Sequence, residues 1–387
     1  MGHAVTVLTT SPHYNRDLEA ERVQPIAWNA LHLVGRSRLD GVDYLHVAMP
    51  RKGRSVFLRV LAWLWFHAVS TILGSVWLPR FDVVIAPSPP MTIGVSAWLV
   101  CLVRRAALVY NVQEIYPDVA VQLGALRNRA VIGALHRLER FVYRRSDAVA
   151  VISEGMVANL RSKGVPAAKL TLIPNYVDAI DLPDDGRPNA FSATHGLDGR
   201  FVVTYAGNIG KPQGLDVVID AAALLRNDPA ILFVIVGDGS EKREIEKRAA
   251  QNGLDNVRIL PYQPYAVIPE IYAASSVCLV LQAAGTGATA LPSKAVQIAG
   301  AGRPLVAVAD VDSDLAAFVR ASGCGIAIPP GRPEELAAAL AAMKSDDTTW
   351  RSRAAAARPG VAAAYSRSRV VQAYSDVIAR LTARDRS

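Results

Sequence analysis

The chain is poor in the side chains on which metal and thiol chemistry depend. Its three cysteines, Cys101, Cys278 and Cys324, lie in apolar or glycine-rich surroundings and lack the spacing of metal ligands. Six of the seven histidines fall in the first half, and none stands next to an evident nucleophile. We therefore expect core thiols in a reducing cytoplasm, and neither a metal site nor a cofactor.

Several familiar signatures are also absent. The sequence contains no Walker sequence and no Ser-His-Asp order, which argues against P-loop and triad chemistry. The turn in VIVGDGSEKREIE (234–246) lacks the full dinucleotide fingerprint, and no acidic residue stands out after the next strand, so a nicotinamide dehydrogenase is disfavoured. The first segment, MGHAVTVLTT, has the pattern of a strand and not of a signal peptide.

Acidic residues are outnumbered by basic ones. With 42 Lys and Arg against 34 Asp and Glu, the formal charge is +8 and the pI is about 9.5. This charge favours nucleotides, lipid headgroups or nucleic acid as partners, although a solvated basic surface would give the same balance. The basic residues form no long stripe interleaved with aromatics, so nucleic acid is the weakest of these partners.

Length and composition indicate a globular α/β chain of two domains. Hydrophobic residues make up 51% and charged residues 20%, and 387 residues exceed the usual size of a single core. Short β-rich runs alternate with helical patterns, which predicts parallel sheets covered by helices. The predicted strands are 3–10, 81–87, 106–112, 148–153, 169–175, 200–207, 231–237, 257–262, 276–282, 304–310 and 325–329. We expect domains at 1–178 and 200–364, a linker at 179–199, and a C-terminal helix at 365–387 that can pack on either domain.

One apolar stretch, SVFLRVLAWLWFHAVSTILGSVWL (55–78), is long enough to span a bilayer. Arg59 and His67 interrupt it, and a charge at the bilayer centre costs about 2.5–3.5 kcal/mol on insertion scales. A helix that is buried or faces another subunit is therefore favoured over an interfacial helix, and a spanning helix is least favoured. Three tryptophans, a basic flank and a second apolar segment at 91–105 keep contact with a membrane surface open.

A glycine-rich turn follows an apolar run in TYAGNIGKPQGLDVVIDAAALL (204–225). Backbone N–H groups at such a turn, and the positive end of the following helix, suit a phosphate. Lys211 would add a compact positive charge. A similar turn lies in VIVGDG (234–239). The glycines that would let the backbone approach a ligand are Gly207, Gly210 and Gly214 in the first turn, with Gly237 and Gly239 in the second. Each turn could equally be a plain strand-to-helix connection.

A third turn lies in ATALPSKAVQIAGAGRPLVAVAD (288–310). A helix that begins here would place Ser293, Lys294 and Gln297 on its first turn. That turn would stand at the carboxyl edge of a strand, where open α/β sheets bind ligands. The alternative is a helix cap with an exposed lysine.

Two carboxylates follow a buried-type strand in YNVQEIYPDVAVQLGAL (110–126). Glu114 and Asp118 bracket the rigid pair Tyr116–Pro117. Carboxylates at a strand end can bind sugar hydroxyls or act as a base. They could equally be helix-start charges beside the macrodipole, and the residues alone do not decide.

These motifs occur together in one family. The chain resembles the family 4 glycosyltransferases, which have two Rossmann-like domains in the GT-B arrangement. The resemblance rests on GHAVTVLTTSPHYN, LERFVYRRSDAVAVISEGM, TLIPNYVD, YAGNIGKPQGLD and VIVGDG, in the family's order. The pairing of AGNIGKPQGLD with LPSK and EIYPD is most similar to the O-antigen and capsule branch, which adds deoxy-amino sugars such as N-acetyl-fucosamine to lipid-linked acceptors.

The resemblance implies a role for each half. The second domain would bind a UDP- or GDP-sugar and the first a polyprenyl-linked or glycan acceptor, with a retaining, metal-independent reaction in the cleft between them. The 207–214 loop and Lys294 would hold the diphosphate, Gln297 would face the ribose or the sugar, and hinge closure at 179–199 would assemble the site. Glu114 and Asp118 would be the catalytic candidates. Such an enzyme would be cytoplasmic and peripheral at the inner face of the plasma membrane.

The chain departs from the family pattern in its charged residues. Asn208 and Gln213 stand where the family commonly has Arg and Lys, and its usual pair of glutamates falls on Thr289 and Gln297. The residues left to supply positive charge are Lys211, Lys294 and Arg303. Relatives also begin with a strand, a Gly-rich loop and a helix before the GHAV strand, a unit that contains the central strand of the first sheet. Without that unit we expect an unpaired edge, and either a start further upstream or a damaged enzyme.

Two other functions are compatible with this architecture. A nucleotide-sugar epimerase would turn over the donor without an acceptor, but it should carry more acid/base residues than the histidine-poor second half offers. A catalytically impaired protein that only binds nucleotide sugars would explain the replaced glutamates and the missing first unit.

Overall fold

The computed structural model describes residues 2–12, 22–50, 56–177, 189–285 and 291–384. All eleven predicted strands are present within these ranges. The structure therefore confirms the α/β class and the alternation of strands with helices that the apolar runs predict.

The first half contains two four-stranded sheets. In one, the order is β1-β4-β3-β2, with bounds Thr6–Thr10, Val42–Val47, Val34–Leu39 and Ala27–Trp28. The other is parallel in the order β5-β6-β7-β8, with bounds Val83–Ser88, Ala107–Val112, Ala148–Val151 and Leu170–Leu172. Within the described ranges, β1 and β5 are outer strands of their sheets and no strand pairs the two.

Sequence analysis missed strands β2 to β4. Strands β3 and β4 form a hairpin whose two-residue loop, Asp40–Gly41, has positive φ at both residues (51° and 80°). An Asp-Gly pair between alternating apolar and polar residues is a strong hairpin signal. The signal in VGRSRLDGVDYLHV was therefore available.

The second half is built on one six-stranded parallel sheet in the order β11-β10-β9-β12-β13-β14. The bounds of β9 to β14 are Phe201–Ala206, Ile231–Val236, Val257–Leu260, Val277–Leu281, Leu305–Val308 and Gly325–Ile328. The chain runs outward from β9 to β11 and then returns to the other side of β9 with β12. This reversal leaves a crevice at the carboxyl ends of β9 and β12, where doubly wound sheets bind ligands.

Helices cover the sheets. In the first half they are α1 to α5, at Val56–Ile72, Ile93–Arg104, Asp118–Gln122, Arg129–Arg145 and Glu154–Ser162. A π-helical turn, Leu73–Trp77, extends α1. In the second half they are α6 to α14, at Ala190–Thr194, Asp216–Leu224, Lys242–Gln251, Ile268–Ala274, Ser293–Gly300, Asp314–Ser322, Pro333–Ser345, Asp347–Ala364 and Arg367–Arg384.

Strands β9, β10, β12 and β13 are buried on both faces, which explains their continuous apolar sequences. Alternate residues of β9 point to opposite layers. Val203 and Tyr205 pack in the layer that contains Ile219 of α7, whereas Val202 packs in the layer that contains Ile271 of α9. The glycine turns after β9 and β10 are thus attached to the most rigid part of the domain.

Part of the segment that we expected to be a linker belongs to the second domain. Residues 189–199 form α6 and a turn, where Phe191 and Leu197 are buried beside Ile271 in the core of the second domain. Asn189 caps α6, and its side chain also donates to the Glu270 carbonyl oxygen at 2.9 Å. The rest of the predicted linker, 179–188, lies outside the described residues.

The C-terminal helix packs on the first domain. Val370, Val377 and Leu381 of α14 are buried against β6, β7 and Ile173. A second contact joins the halves where α5 and α11 begin, because the Gly155 N–H donates to the Asp314 carboxylate at 2.8 Å. Both domains are therefore tied together away from the linker.

The apolar stretch at 55–78 is not buried in its own chain, so that part of the favoured interpretation is wrong. Only 17% of Val60–Trp77 is buried, although its length and mean hydropathy of 1.5 would suffice to cross a membrane. His67, one of the two polar residues that interrupt the apolar stretch, faces α2. Its ring contacts Thr92, just before α2, at 2.8 Å and Ser96 on α2 at 3.2 Å. One face of α1 is therefore held against α2 while the other is exposed.

Candidate functional site

The two glycine turns of the second domain touch each other at the carboxyl edge of the sheet. The Gly207 N–H donates to the Val236 carbonyl oxygen at 2.9 Å, and the Ile209 N–H donates to the Asp238 carbonyl oxygen at 2.8 Å. Gly207 and Gly237 have φ of 149° and 154°, which other residues rarely adopt. A Cβ at Gly237 would overlap the Gly207 carbonyl oxygen. Glycine is required here so that the two turns can cross.

The remainder of the first loop forms a short 3-10 turn, Lys211–Gln213, which ends at Gly214 with φ 61°. Asn208 donates to the Gln213 side-chain oxygen at 3.3 Å across the loop. The Ala283 N–H, just after β12, donates to the Pro212 carbonyl oxygen at 2.8 Å. The hydrogen bond between the Asn208 and Gln213 side chains thus stabilises the loop. The Ala283 N–H attaches the loop to the end of β12, on the far side of the crevice.

Gly210 lies within this loop, and Gly239 lies in the second turn. Gly210 has extended backbone and opens the 3-10 turn. A Cβ at Gly239 would overlap the Ile209 carbonyl oxygen, so the second turn also depends on glycine. The structure therefore brings the predicted glycines of both turns together.

Lys294 reaches this loop from α10. Its ammonium lies 3.2 Å from the Tyr205 hydroxyl and 4.4 Å from the centre of the Tyr205 ring. A Cβ at Gly207 would stand only 2.5 Å from the same nitrogen, so the lysine lies directly beside the first glycine turn. This contradicts the alternative of an exposed lysine behind a helix cap.

The electrostatics of Lys294 favour an anion. Desolvation lowers the pKa of the ammonium from 10.5 to about 8. No carboxylate of the described residues lies within ion-pair distance of it. A phosphate placed here would stabilise the charged form of the ammonium and so raise its pKa again.

Tyr205 is a site residue that sequence analysis missed. It is fully buried at the end of β9, and burial raises the pKa of its hydroxyl. That hydroxyl donates to the Asn208 carbonyl oxygen at 2.6 Å while it accepts from Lys294. The one available signal was a tyrosine within an otherwise apolar strand, since a buried phenol needs a hydrogen-bond partner.

The other residues predicted on α10 differ in their surroundings. Ser293 begins the helix and is exposed, but Pro292 is the N-cap and no side chain caps the helix. Gln297 lies almost one turn beyond Lys294 and is half-buried. Thr289, the other position where the family has a glutamate, lies outside the described residues.

Arg303 is not at this edge of the sheet, which contradicts its predicted role. It stands between the end of α10 and the beginning of β13, at the amino ends of the parallel strands. Its side chain is only 3% exposed. A diphosphate bound at the glycine turns therefore cannot reach it.

In the first domain, Glu114 lies at the carboxyl edge of the parallel sheet. The adjacent Gln113 receives a hydrogen bond from Asn175 at 2.9 Å, and its N–H donates to Ser88 at 3.3 Å. Glu114 is open to solvent on one side, but the protein on its other side raises the pKa of the carboxyl by desolvation. A carboxyl in such a position can exchange a proton or a hydrogen bond with a sugar hydroxyl.

Asp118 forms an ion pair with Lys163 that is part of a network within the fold, which contradicts its predicted catalytic role. Lys163 contacts Asp118 at 2.9 Å and the buried Glu139 at 2.6 Å. Glu139 also accepts from Tyr143 at 3.1 Å and contacts His136 at 3.0 Å. Asp118, His136 and Glu139 are close enough to share a cation. The Lys163 ammonium already supplies that positive charge.

Two family profiles match the chain. One, described as "Glycosyl transferase 4-like domain", matches residues 1–176. The other, "Glycosyl transferases group 1", matches residues 189–359. The chain belongs to the family 4 glycosyltransferases. Neither description names a sugar, so the N-acetyl-fucosamine branch stays a prediction.

Individual comparisons agree with this assignment. The glycosyltransferase is 28% identical to the putative colanic acid biosynthesis glycosyl transferase WcaI of Escherichia coli K12, over 88% of this chain and 84% of that one. Its fold is similar to that of a sucrose-phosphate synthase from Thermosynechococcus elongatus (TM-score 0.71, 17% identity, 99% and 90% coverage). It is also similar to that of HepE from Anabaena in complex with UDP (TM-score 0.68, 19% identity, 98% and 100% coverage). The two Rossmann-like domains are thus those of a GT-B enzyme.

We predict that the affinity of this glycosyltransferase for UDP falls about tenfold between pH 7 and pH 9. Over that range free Lys294 loses its proton, because its pKa is about 8, whereas a terminal phosphate is already ionised. Calorimetric titration at several pH values measures the effect. Lys294→Met should bind more weakly at pH 7 and show no such decline, and exposed Lys247→Met is the control. A parallel decline in both variants would contradict the assignment.

The contribution of Lys294 to folding stability should rise with pH, whereas the affinity for UDP should fall. Because the folded pKa of Lys294 is below its ordinary 10.5, the unfolded chain binds more protons between about pH 8 and 10.5. The contribution of this lysine to the free energy of unfolding therefore rises with pH across that window. The predicted loss of UDP affinity between pH 7 and pH 9 would therefore not result from a destabilising effect of Lys294 on the fold.

We predict that Tyr205→Phe weakens UDP binding by a factor of about 2 to 12. The substitution keeps the ring under Lys294 but removes one hydrogen bond to the ammonium and one to the loop, and a single hydrogen bond contributes about 0.5–1.5 kcal/mol. Tyr272→Phe, in the same domain and also buried, is the matched control. Equal UDP affinity of Tyr205→Phe and the wild type would show that the hydroxyl does not position Lys294.

Proposed function

We propose that this enzyme is a retaining hexosyltransferase that moves a sugar from a nucleoside-diphosphate donor to a lipid-linked saccharide in the assembly of a cell-surface polysaccharide. The observation that carries the donor half is the desolvated Lys294 ammonium beside two crossing glycine turns. The description of the E. coli relative as a putative colanic acid enzyme supports the polysaccharide, and the UDP complex of HepE supports a UDP-sugar.

The donor site is suited to departure of a diphosphate. When the bond between the anomeric carbon and the phosphate oxygen breaks, negative charge grows on the diphosphate. Lys294 stabilises that charge together with those N–H groups of the 207–214 loop that do not already donate to a carbonyl oxygen, with Lys211 and Gln297 at the margins of the site. Because these groups are positive or N–H donors, the proposed reaction needs no metal ion.

Retention requires that the acceptor oxygen approaches the face that the diphosphate leaves. The new glycosidic bond then forms as the old bond breaks, and the acceptor hydroxyl gives its proton to the departing phosphate. Glu114 is proposed to accept a hydrogen bond from the acceptor saccharide and so orient that hydroxyl. Asp118 takes no part, because it is paired with Lys163.

The lipid-linked acceptor would require the enzyme to work at the cytoplasmic face of the membrane. The exposed apolar face of α1 and of the π-helical turn that extends it supports this, since Trp63, Leu64 and Val76 are 52%, 59% and 76% exposed. A helix with one face packed on protein and the other apolar lies in the plane of an interface. We propose that α1 contacts the membrane surface in this way.

Donor titration and product analysis test the function. Calorimetry with a panel of UDP- and GDP-sugars should identify a donor, and incubation of that donor with extracted lipid acceptor and EDTA should give a product with the anomeric configuration of the donor. Conversion of the donor without an acceptor would instead indicate the epimerase. Donor binding with no product from any acceptor would indicate a protein that only binds nucleotide sugars.

We predict that Glu114→Gln and Asp118→Asn have different effects. Glu114→Gln should lower kcat by about tenfold or more with unchanged UDP affinity, because it alters only the acceptor side. Asp118→Asn should mainly lower the free energy of unfolding, since Lys163 loses one of two anionic partners. Steady-state kinetics and urea denaturation of both variants provide the comparison. A larger loss of kcat in folded Asp118→Asn than in Glu114→Gln would reverse the two assignments.

A further inference from the structure

A carboxylate of the second domain lies at the start of a helix of the first. The Asp314 side chain, on the first turn of α11, accepts a hydrogen bond at 2.8 Å from the Gly155 N–H, on the first turn of α5. The first N–H groups of a helix have no partner within it, and negative charge is stabilised at this end. Ser153 and Ser313 cap the same two helices with their side chains. One carboxylate therefore lies between two helix N-termini, one from each domain.

Gly155 is required by this contact and not by its own backbone. It lies within α5 and has no positive φ, so alanine would suit the helix better. The three atoms nearest to a Cβ at this position all belong to the Asp314 carboxylate, at 2.5, 2.7 and 2.8 Å. A methyl group here would displace the carboxylate. Glycine thus lets α5 and α11 approach each other across the two domains.

The Asp314 carboxylate depends on this hydrogen bond. Its second oxygen, Oδ2, is buried and has no hydrogen-bond partner among the residues that the structure describes. A buried carboxylate is costly unless it is hydrogen-bonded, so the Gly155 N–H and the two helix ends stabilise its charge. If the domains moved apart, the carboxylate would lose the hydrogen bond that the first domain donates.

The chain crosses between the domains beside this pair. The Val177 N–H, at the end of the first domain, donates at 3.0 Å to the Tyr365 carbonyl oxygen, where the chain returns to α14. The Tyr365 ring packs edge to face on Phe318 of α11, with centres 5.8 Å apart. Desolvation raises the pKa of the Tyr365 hydroxyl, and the nearby Asp314 carboxylate adds to this. Val177 also packs against the core that contains α10.

The pair lies one strand away from each half of the proposed site. Gly155 follows β7, and the neighbouring strand β6 leads to Glu114. Asp314 follows β13, and the neighbouring strand β12 leads to the helix that carries Lys294. The carboxyl edges of the two sheets are therefore joined here, and the spacing between Glu114 and Lys294 depends on this junction.

We propose that Asp314 is a positioning residue for glycosyl transfer. By holding α11 against α5, its carboxylate keeps the acceptor edge of the first domain at the distance from Lys294 that transfer requires. A misplacement of about 1 Å can cost about 100-fold in rate, so a contact far from the reacting atoms can control the reaction. This inference rests on the proposed function, because it takes Glu114 and Lys294 as the two sides of the site.

Steady-state kinetics of Asp314 variants test the proposal. Asp314→Ala should lower kcat about tenfold or more and leave UDP affinity unchanged, because the candidate diphosphate site lies within the second domain. Asp314→Asn should stay within about threefold of the wild type, since its amide oxygen can still accept from Gly155. Asp312→Ala removes an exposed carboxylate from the same segment and is the control. Equal losses of kcat in Asp314→Asn and Asp314→Ala would contradict a role through this hydrogen bond.

A double-mutant cycle tests the contact itself. Gly155→Ala alone should lower kcat about tenfold, because the methyl group displaces the carboxylate. In the Asp314→Ala background the same substitution should have no further effect, since no carboxylate remains to be displaced. Gly133→Ala is the control, because Gly133 also lies within a helix but has nothing near its Cβ position. If the two losses multiply in the double variant, the residues act separately and the proposal is overturned.

Distances between the domains separate this inference from the proposed function. Spin labels at Ser162→Cys and Glu246→Cys, exposed positions in the first and second domains, report the spacing in the full-length protein, and the three native thiols are buried. Asp314→Ala should broaden the narrow distance distribution of the labelled parent. Unchanged distances, or broader distances with unchanged kcat, would overturn the positioning role. If the wild type gives no product from any donor and acceptor, the proposed function fails, and the distances alone decide whether the contact holds the domains.

Discussion

Lys294 keeps a desolvated ammonium between the Tyr205 ring and the first glycine turn, and the geometry of the candidate site depends on that contact. A lysine that is charged but has no carboxylate partner among the described residues is stabilised most by an anion. The turns after β9 and β10 can cross only because both carry glycine. The rigid parallel sheet beneath them holds this arrangement before any donor binds.

The first domain distributes its charges differently. At its carboxyl edge, Glu114 stays partly open to solvent, whereas Asp118 and the buried Glu139 both contact the ammonium of Lys163 within the fold. Four arginines of this domain are exposed on α4, and the apolar residues of α1 are also largely exposed. The proposed reaction, between a soluble nucleotide sugar and a membrane-bound acceptor, would need a second domain that binds phosphates and a first domain with a basic and apolar exterior.

Strands β1 and β5 to β14, the glycine turns and Lys294 could be predicted because each gives a local signal: a short apolar run, a glycine pair, or a helix start after a strand. Tyr205 could not be assigned, because its role depends on Lys294, which is 89 positions away in the chain. Arg303 and Asp118 are the opposite case, because the sequence predicted a role that the tertiary structure contradicts. Their side-chain types suit a site, but the fold places one at the amino ends of the strands and pairs the other with Lys163. Only the tertiary structure distinguishes a charged side chain that is open to a ligand from one that is already paired within the protein.

The most direct test of the central claim is the titration of Lys294 by NMR, with isotope-labelled lysine and Lys294→Met to assign the signal. In the free protein the pKa should lie near 8, and saturation with UDP should raise it, because the diphosphate stabilises the charged form. A pKa close to 10.5 in the free protein, or one that UDP leaves unchanged, would mean that this ammonium is neither desolvated nor in contact with the diphosphate.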